Sequence, residues 1–271
     1  MKLLPSLAVV LSLTVSPQVS PVDRLYVFGD SYSDSGAGYV DGDGPTAVVY
    51  LARRLGFELR PAPLAASPSD SLNFAVSGAQ TGRGAGRRIK NAFLSLGMAE
   101  QVGDFVDRVQ SGRVAFDPRT TLFFLAGGLN DRSLPPGATA ANLAAHIQAL
   151  YGVGARRIRV ALLPTAIPQF SAVALRLNPE ISRVPDEMRA RLAALDIGLS
   201  QWGPFFDAVF RNPAAYGITN ITDACAGRAI FDEDAAPCAT PAAHFFYHAG
   251  HPSTAVHRIV GDKLYDELRR Q

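Results

Sequence analysis

Leu25-Tyr26-Val27-Phe28-Gly29-Asp30-Ser31-Tyr32-Ser33-Asp34-Ser35-Gly36 is the stretch on which the reading of this chain turns. Leu25 to Phe28 is an apolar run long enough for a buried strand and too short for a helix. It stops at Gly29-Asp30-Ser31, a turn-forming cluster. In a parallel α/β sheet, ligands sit beyond the carboxyl ends of the strands. A hydroxyl held there by rigid backbone is placed to act as a nucleophile. Ser and Asp at such a place also cap helices, so the tripeptide alone leaves both readings open.

Composition narrows the classes. At 271 residues and 48% hydrophobic, the chain has material for a sizeable core. A net charge of +2 gives no electrostatic footprint for nucleic acid. The 19 prolines and 24 glycines are dispersed, and no repeat or disordered linker stands out. Lys2, the apolar stretch from Leu3 to Val15 and the small-residue exit from Ser16 to Pro21 read as a secretory signal peptide over residues 1–20. An N-terminal core helix or strand is the other reading, and the stretch is short for a membrane span. Export places the remaining domain, residues 21–271, in a secreted or periplasmic setting. Cys225 and Cys238 are the only cysteines. An oxidising compartment favours a disulfide between them, worth about 3 kcal/mol in the chain-entropy picture. Without matching histidine spacing they make a poor zinc site.

Further along, Asp41-Gly42-Asp43-Gly44 lacks the other ligands of a calcium loop and reads as a solvated turn. A helix is predicted over Ala47–Leu55, capped by Thr46 and ended by Gly56. Leu72–Val76 reads as a strand running into the small-residue turn Ser77-Gly78-Ala79. Gly82 to Gly86 lacks the endings of a phosphate loop, and Arg83, Arg87, Arg88 and Lys90 read as a basic, solvated loop. Met98–Val109 has helical spacing, Thr121–Ala126 is a strand buried on both faces, and Ala140–Tyr151 is helical. Arg157–Leu163 reads as a strand, Pro185–Phe210 as the longest helix and Ile218–Ile221 as a short strand. The last helix opens at His251-Pro252-Ser253-Thr254. Alternation of strands and helices predicts one α/β domain with a parallel sheet covered on both faces.

Three strands thus end in chemically suggestive turns, and a histidine follows late in the chain. Acyl transfer needs a nucleophile, a base and donors aimed at a developing oxyanion. Ser31 supplies the first and His251 the second. The backbone amides of Ser31 and Gly78, with the side-chain amide of Asn130, supply the donors. Gly78 leaves its amide unobstructed, and Asn130 donates without needing protonation.

Phe28-Gly29-Asp30-Ser31, Asn73-Phe74-Ala75-Val76-Ser77-Gly78-Ala79, Gly128-Leu129-Asn130-Asp131 and His251-Pro252-Ser253 stand in that order. In these blocks the chain resembles the GDSL-type, or SGNH, hydrolases. The resemblance covers nearly everything after the signal segment. It implies a flavodoxin-like three-layer α/β/α fold with a mostly parallel sheet, and a serine esterase or lipase with no metal or organic cofactor. Its substrates would be lipid esters, short-chain esters or acylated sugars. Ile218 to Asp223 and the cysteine loop resemble the phospholipase, lecithinase and hemolysin branch, which implies transient contact with a lipid or membrane surface. Phe245-Phe246-Tyr247, beside the histidine, reads either as an acyl-pocket lining or as core.

One position departs from the family. Three residues before the histidine, where the family has aspartate, stands His248. That aspartate fixes the imidazole tautomer and stabilises the imidazolium. Candidates to replace it are His248 itself, a main-chain carbonyl, or a carboxylate of Asp232, Glu233 or Asp234. A Ser31–His251 dyad follows, and Asp restored at position 248 is expected to raise activity several-fold. A non-catalytic binding protein is the alternative that His248 raises.

Overall fold

A computed structural model describes residues 21–270 of the protein. The predicted signal segment therefore lies outside the described residues. At the centre is strand β1 (Arg24–Gly29), whose residues from Leu25 onward are buried. Helix α1 (Ala47–Leu55) follows, then β2 (Leu59–Pro61) and β3 (Ser71–Asn73). A hairpin of β4 (Ala85–Ile89) and β5 (Ala92–Leu96) leads to α2 (Met98–Gln110). Next come β6 (Thr121–Ala126), α3 (Ala138–Gly152), β7 (Arg157–Ala161), α4 (Pro168–Ile181) and α5 (Val184–Arg191). Strand β8 (Asp196–Ser200), α6 (Trp202–Arg211), β9 (Asn220–Ala224), β10 (His244–His248), β11 (His251–Pro252) and α7 (Thr254–Leu268) complete the chain.

Six strands form one parallel sheet in the order β2-β3-β1-β6-β7-β8. Side chains alternate across it, as the strand period of two requires. Tyr26 and Phe28 of β1 both meet Phe105 of α2. On that side α2, α3, α4 and α5 pack on one another, while α1 and α6 pack on α7. Every residue of β6, Thr-Leu-Phe-Phe-Leu-Ala, is buried, as expected of a strand covered on both faces. The sheet is therefore α/β, with helices on both sides.

Strand β1 lies between β3 and β6, so the chain leaves it in one direction along the sheet and later returns on the other side. This reversal opens a crevice beyond the carboxyl end of β1, where open parallel sheets bind ligands. Gly29 is held there with no room to spare, because a Cβ would collide with the carbonyl of Ala126. The Gln101 side chain clamps the same residue, accepting from Gly29 N–H and donating to Gly29 C=O, each at 2.9 Å.

Several expectations need correction. Pro185–Phe210 is not one helix but α5, β8 and α6. Ala194, at φ +55°, breaks any helix there, and the following residues pair with β7 from Arg157↔Asp196 to Ala161↔Ser200. The leucine spacing resembled a helix because Leu192 and Leu195 are buried for other reasons, in the turn before the strand. Helix α4 and strand β2 were not anticipated. The basic loop is the antiparallel β4–β5 hairpin, with Arg87 and Arg88 exposed on it. Only Ser71–Asn73 of Leu72–Val76 and its neighbours forms the ladder, although Phe74 N and Val76 N still bond Val27 O and Gly29 O. The late short strand is shifted to Asn220–Ala224 and joins β10 and β11 in a small sheet. Thr46 precedes α1 without capping it, since its hydroxyl donates to Ser33 C=O. Cys225 and Cys238 form a disulfide, with Cα atoms 4.8 Å apart.

Gln101→Ala strips a buried backbone N–H of its acceptor and is expected to cost about 1–3 kcal/mol. At roughly 2–4 °C per kcal/mol for a chain of this size, the melting temperature should fall by about 2–12 °C. Thermal unfolding followed by circular dichroism reads this directly.

Candidate active site

Ser31 follows β1 in a tight turn, with Ser33 N and Asp34 N both donating to Asp30 C=O. The turn is braced from beneath by buried carboxylates. Asp30 receives Tyr32 N–H at 3.2 Å, and burial pushes its pKa up to about 7. Asp34 accepts from Gly36 N, Gly38 N and Ser77 N, and burial raises its pKa to about 6. Its bond to Ser77 fastens the Ser31 loop to the turn that carries Gly78. Gly78 has φ +78°, a left-handed conformation that a side chain disfavours. Asp131 performs the same service one strand over, accepting from Thr81 N at 2.9 Å and from Thr139 Oγ1 at 2.7 Å. Asn130, next to it, donates one side-chain N–H to Ala79 C=O at 2.9 Å and keeps the other available.

His251 arrives from the far end of the chain. Its Nε2 lies 2.9 Å from Ser31 Oγ. Its Nδ1 lies 3.1 Å from the carbonyl of Ala249, an atom that can only accept. The neutral ring therefore carries its proton on Nδ1 and turns the Nε2 lone pair to the serine O–H. The preceding turn is pinned by Tyr32, whose hydroxyl donates to Gly250 C=O at 2.7 Å. Burial lowers the pKa of His251, opposed by the negative charge of Asp41. Behind it, burial drives His257 down to about 3, and neutral His257 accepts from Ala47 N–H.

Of the sequence-derived residues, Ser31, Gly78, Asn130 and His251 all line one cleft of about 270 Å³. His248 does not face His251 Nδ1. Its Nδ1 donates instead to Asp41 Oδ1 at 2.7 Å. Asp232 pairs with Lys90, Glu233 pairs with Arg228, and Asp234 receives Ala236 N–H. The main-chain carbonyl, one of the candidates for the tautomer-setting role, is the group found at Nδ1.

Asp41 was expected in a solvated turn, and that reading is corrected. Its side chain is 7% exposed, and its Oδ2 lies 3.3 Å from His251 Nε2 and 3.7 Å from Arg228. Burial raises its pKa, but the hydrogen bond from His248 and the electrostatic attraction of His251, His248 and Arg228 outweigh this and hold it below the ordinary carboxylate value. No local signal in Asp-Gly-Asp-Gly reveals this, because its partners lie about two hundred residues away in sequence (207 to His248). Phe245 and Phe246 are core, packed on Phe210, and line no part of the cleft. A larger, more apolar cavity of about 630 Å³ has Tyr39, Val76, Phe93 and Leu96 on its wall. The contact between Ser31 and His251 lies in the smaller cleft, which is therefore the candidate site.

The family model described as GDSL-like Lipase/Acylhydrolase matches residues 25–264. The chain belongs to that family. It is similar to the thermolabile hemolysin of Vibrio parahaemolyticus, at 26% identity over 92% of this chain and 64% of the relative. The chain thus spans less than two thirds of that hemolysin's length. Among solved structures it resembles a member of the lipolytic G-D-S-L family from Veillonella parvula (13% identity, 92% of this chain, 99% of that one, TM-score 0.48). It also resembles a catalytic mutant of an acetylxylan esterase from Geobacillus stearothermophilus (12% identity, 92% and 95% coverage, TM-score 0.49).

Two outcomes follow from the geometry. A base at His251 works only when neutral, and its pKa lies below the ordinary 6.5. The rate should therefore climb with pH through a limb centred below 6.5 and stay level above it, as a plot of kcat/KM against pH will show. His248→Asp would set a second carboxylate against Asp41, so it should lower the rate of ester hydrolysis. This replaces the several-fold gain expected from the family pattern.

Proposed function

We propose that the protein is an exported serine esterase that cleaves lipid or short-chain carboxylic esters through an acyl-enzyme. The observation that carries this is the 2.9 Å contact between Ser31 Oγ and His251 Nε2, with the ring tautomer set to accept the serine proton. As Ser31 Oγ attacks the ester carbonyl carbon, its proton passes to His251 Nε2. The carbonyl oxygen gains the negative charge. The N–H groups of Ser31 and Gly78, engaged with no other described residue, and the spare N–H of Asn130 are the donors for it. One such donor is typically worth about 10²–10³ in kcat. The Nε2 proton then goes to the leaving alkoxide, and water returns along the same route to release the acid.

The cleft favours an ester that also carries negative charge. Arg87, Arg132 and Arg228 line it alongside Phe170 and Phe231. Arg228 is engaged by Asp41 and Glu233, whereas no described carboxylate pairs with Arg87 or Arg132. Arg132 is held over the Phe170 ring and donates to Gln169 C=O. Guanidinium groups around a small cleft suit a phosphate or carboxylate beside the scissile ester, and the likeness to a hemolysin points to a lipid as its bearer. The predicted signal segment and the disulfide support action outside the cytoplasm. No observation in the cleft favours the non-catalytic alternative.

Hydrolysis of a p-nitrophenyl ester series, from acetyl to long acyl chains, tests the reading in wild type and Ser31→Ala. Wild type should turn over, with Ser31→Ala reduced by about 10³-fold or more. Equal rates in both proteins across the series would refute serine catalysis, and a sharp acetyl optimum would refute the lipid assignment.

A further inference from the structure

We propose that Asp41 is the charge partner of His251, a positioning residue that supplies, from the loop after β1, the carboxylate missing three positions before the histidine. This rests on the serine-esterase reading above. In that reading the imidazolium is formed when Nε2 takes the Ser31 proton. The usual arrangement asks one carboxylate to do two jobs, fixing the tautomer and stabilising that cation. Here the jobs are divided. The Ala249 carbonyl fixes the tautomer from the Nδ1 side. Asp41 Oδ2, 3.3 Å from Nε2, places a negative charge beside the nitrogen that becomes protonated.

The surroundings of Asp41 show a carboxylate held ionised and in place. His248 donates to its Oδ1 at 2.7 Å and Arg228 stands 3.7 Å from Oδ2. His248 thus occupies the family's aspartate position as the clamp on a relocated carboxylate. Tyr39 adds a ring stacked parallel to His248, with centroids 6.4 Å apart. The other groups around the histidine are neutral His257 and Tyr32 on its buried side, and Arg87 and Arg132 across the cleft. Asp41 is therefore the anion that meets His251, and its field opposes the effect of burial on the imidazole. The proton balance needs no further acid. Ser31 O–H breaks, Nε2–H forms beside Asp41, and that proton leaves on the alkoxide while Asp41 stays ionised throughout.

A buried carboxylate that merely braces the loop would, if removed, lower the rate without moving the titration of His251. A charge partner moves both. The test is the pH dependence of kcat/KM for p-nitrophenyl acetate in wild type, Asp41→Asn and Asp41→Ser, with folding checked by circular dichroism. Two replacements are made so that a folding failure of one leaves the other to be read. In either, the plateau should fall by about 10-fold or more, and the acid limb should shift downward by about one pH unit or more. An unchanged limb, with or without a lower plateau, overturns the proposal. If instead wild type and Ser31→Ala hydrolyse the ester equally, the serine-esterase reading beneath it fails first, a result distinct from a normal wild-type profile unaffected at position 41.

Discussion

Everything at the cleft depends on β1 being paired on both sides by parallel strands. Tyr26 and Val27 register with Leu72 and Asn73 of β3, while the same strand runs beside β6 from Arg24↔Thr121 to Gly29↔Ala126. Parallel strands end together, so Ser31, Gly78 and Asn130 leave the sheet at the same edge. Each sits in a turn two to five residues past the end of its strand. The backbone spacing of neighbouring strands, about 5 Å, sets how far apart these groups begin. No loop needs to reach far to gather three of the four residues.

That edge is costly to build. Asp30, Asp34 and Asp131 are fully buried beneath the turns, where an unpaired charge is strongly disfavoured. Asp34 and Asp131 are met by backbone N–H groups or hydroxyls from neighbouring turns, so the polar groups that cost stability also fix the turns to one another. Asp30 is met less completely, with one carboxyl oxygen lacking a partner among the described residues, and it carries the pKa raised to about 7. Such cross-bracing holds the turns preorganised, and preorganised dipoles need no rearrangement when charge develops.

The histidine side is built differently. His251 and His248 come from the short β10–β11 turn, far in sequence from the sheet edge, and are fastened to it by side chains of the N-terminal loop. Tyr32 holds the Gly250 carbonyl, and Asp41 lies between the two rings. Asp41, His248 and His251 are each less than a tenth exposed. In such surroundings a carboxylate beside an imidazole is screened far less than at the surface. The loop from Gly36 to Gly44 is therefore part of the site, although its composition is that of a turn.

The sequence by itself determined the sheet's central strands and singled out the four turns that carry Ser31, Gly78, Asn130 and His251, residues that line one cleft. These are local properties: an apolar run ending in Gly, Ser or Asn looks the same before and after folding. Thr121–Ala126 was readable to the residue for that reason. Only the tertiary structure decided that the residues following Ala194 pair as a strand, since their leucine spacing matched a helix and the partner strand lay beyond any local window. It alone decided that Asp41 is buried and that His248 clamps it. Burial and charge pairing are made by contacts between segments about two hundred residues apart, and a composition-based reading assigns an Asp-Gly repeat to solvent because, without those contacts, solvent is where its charges are cheapest to hold.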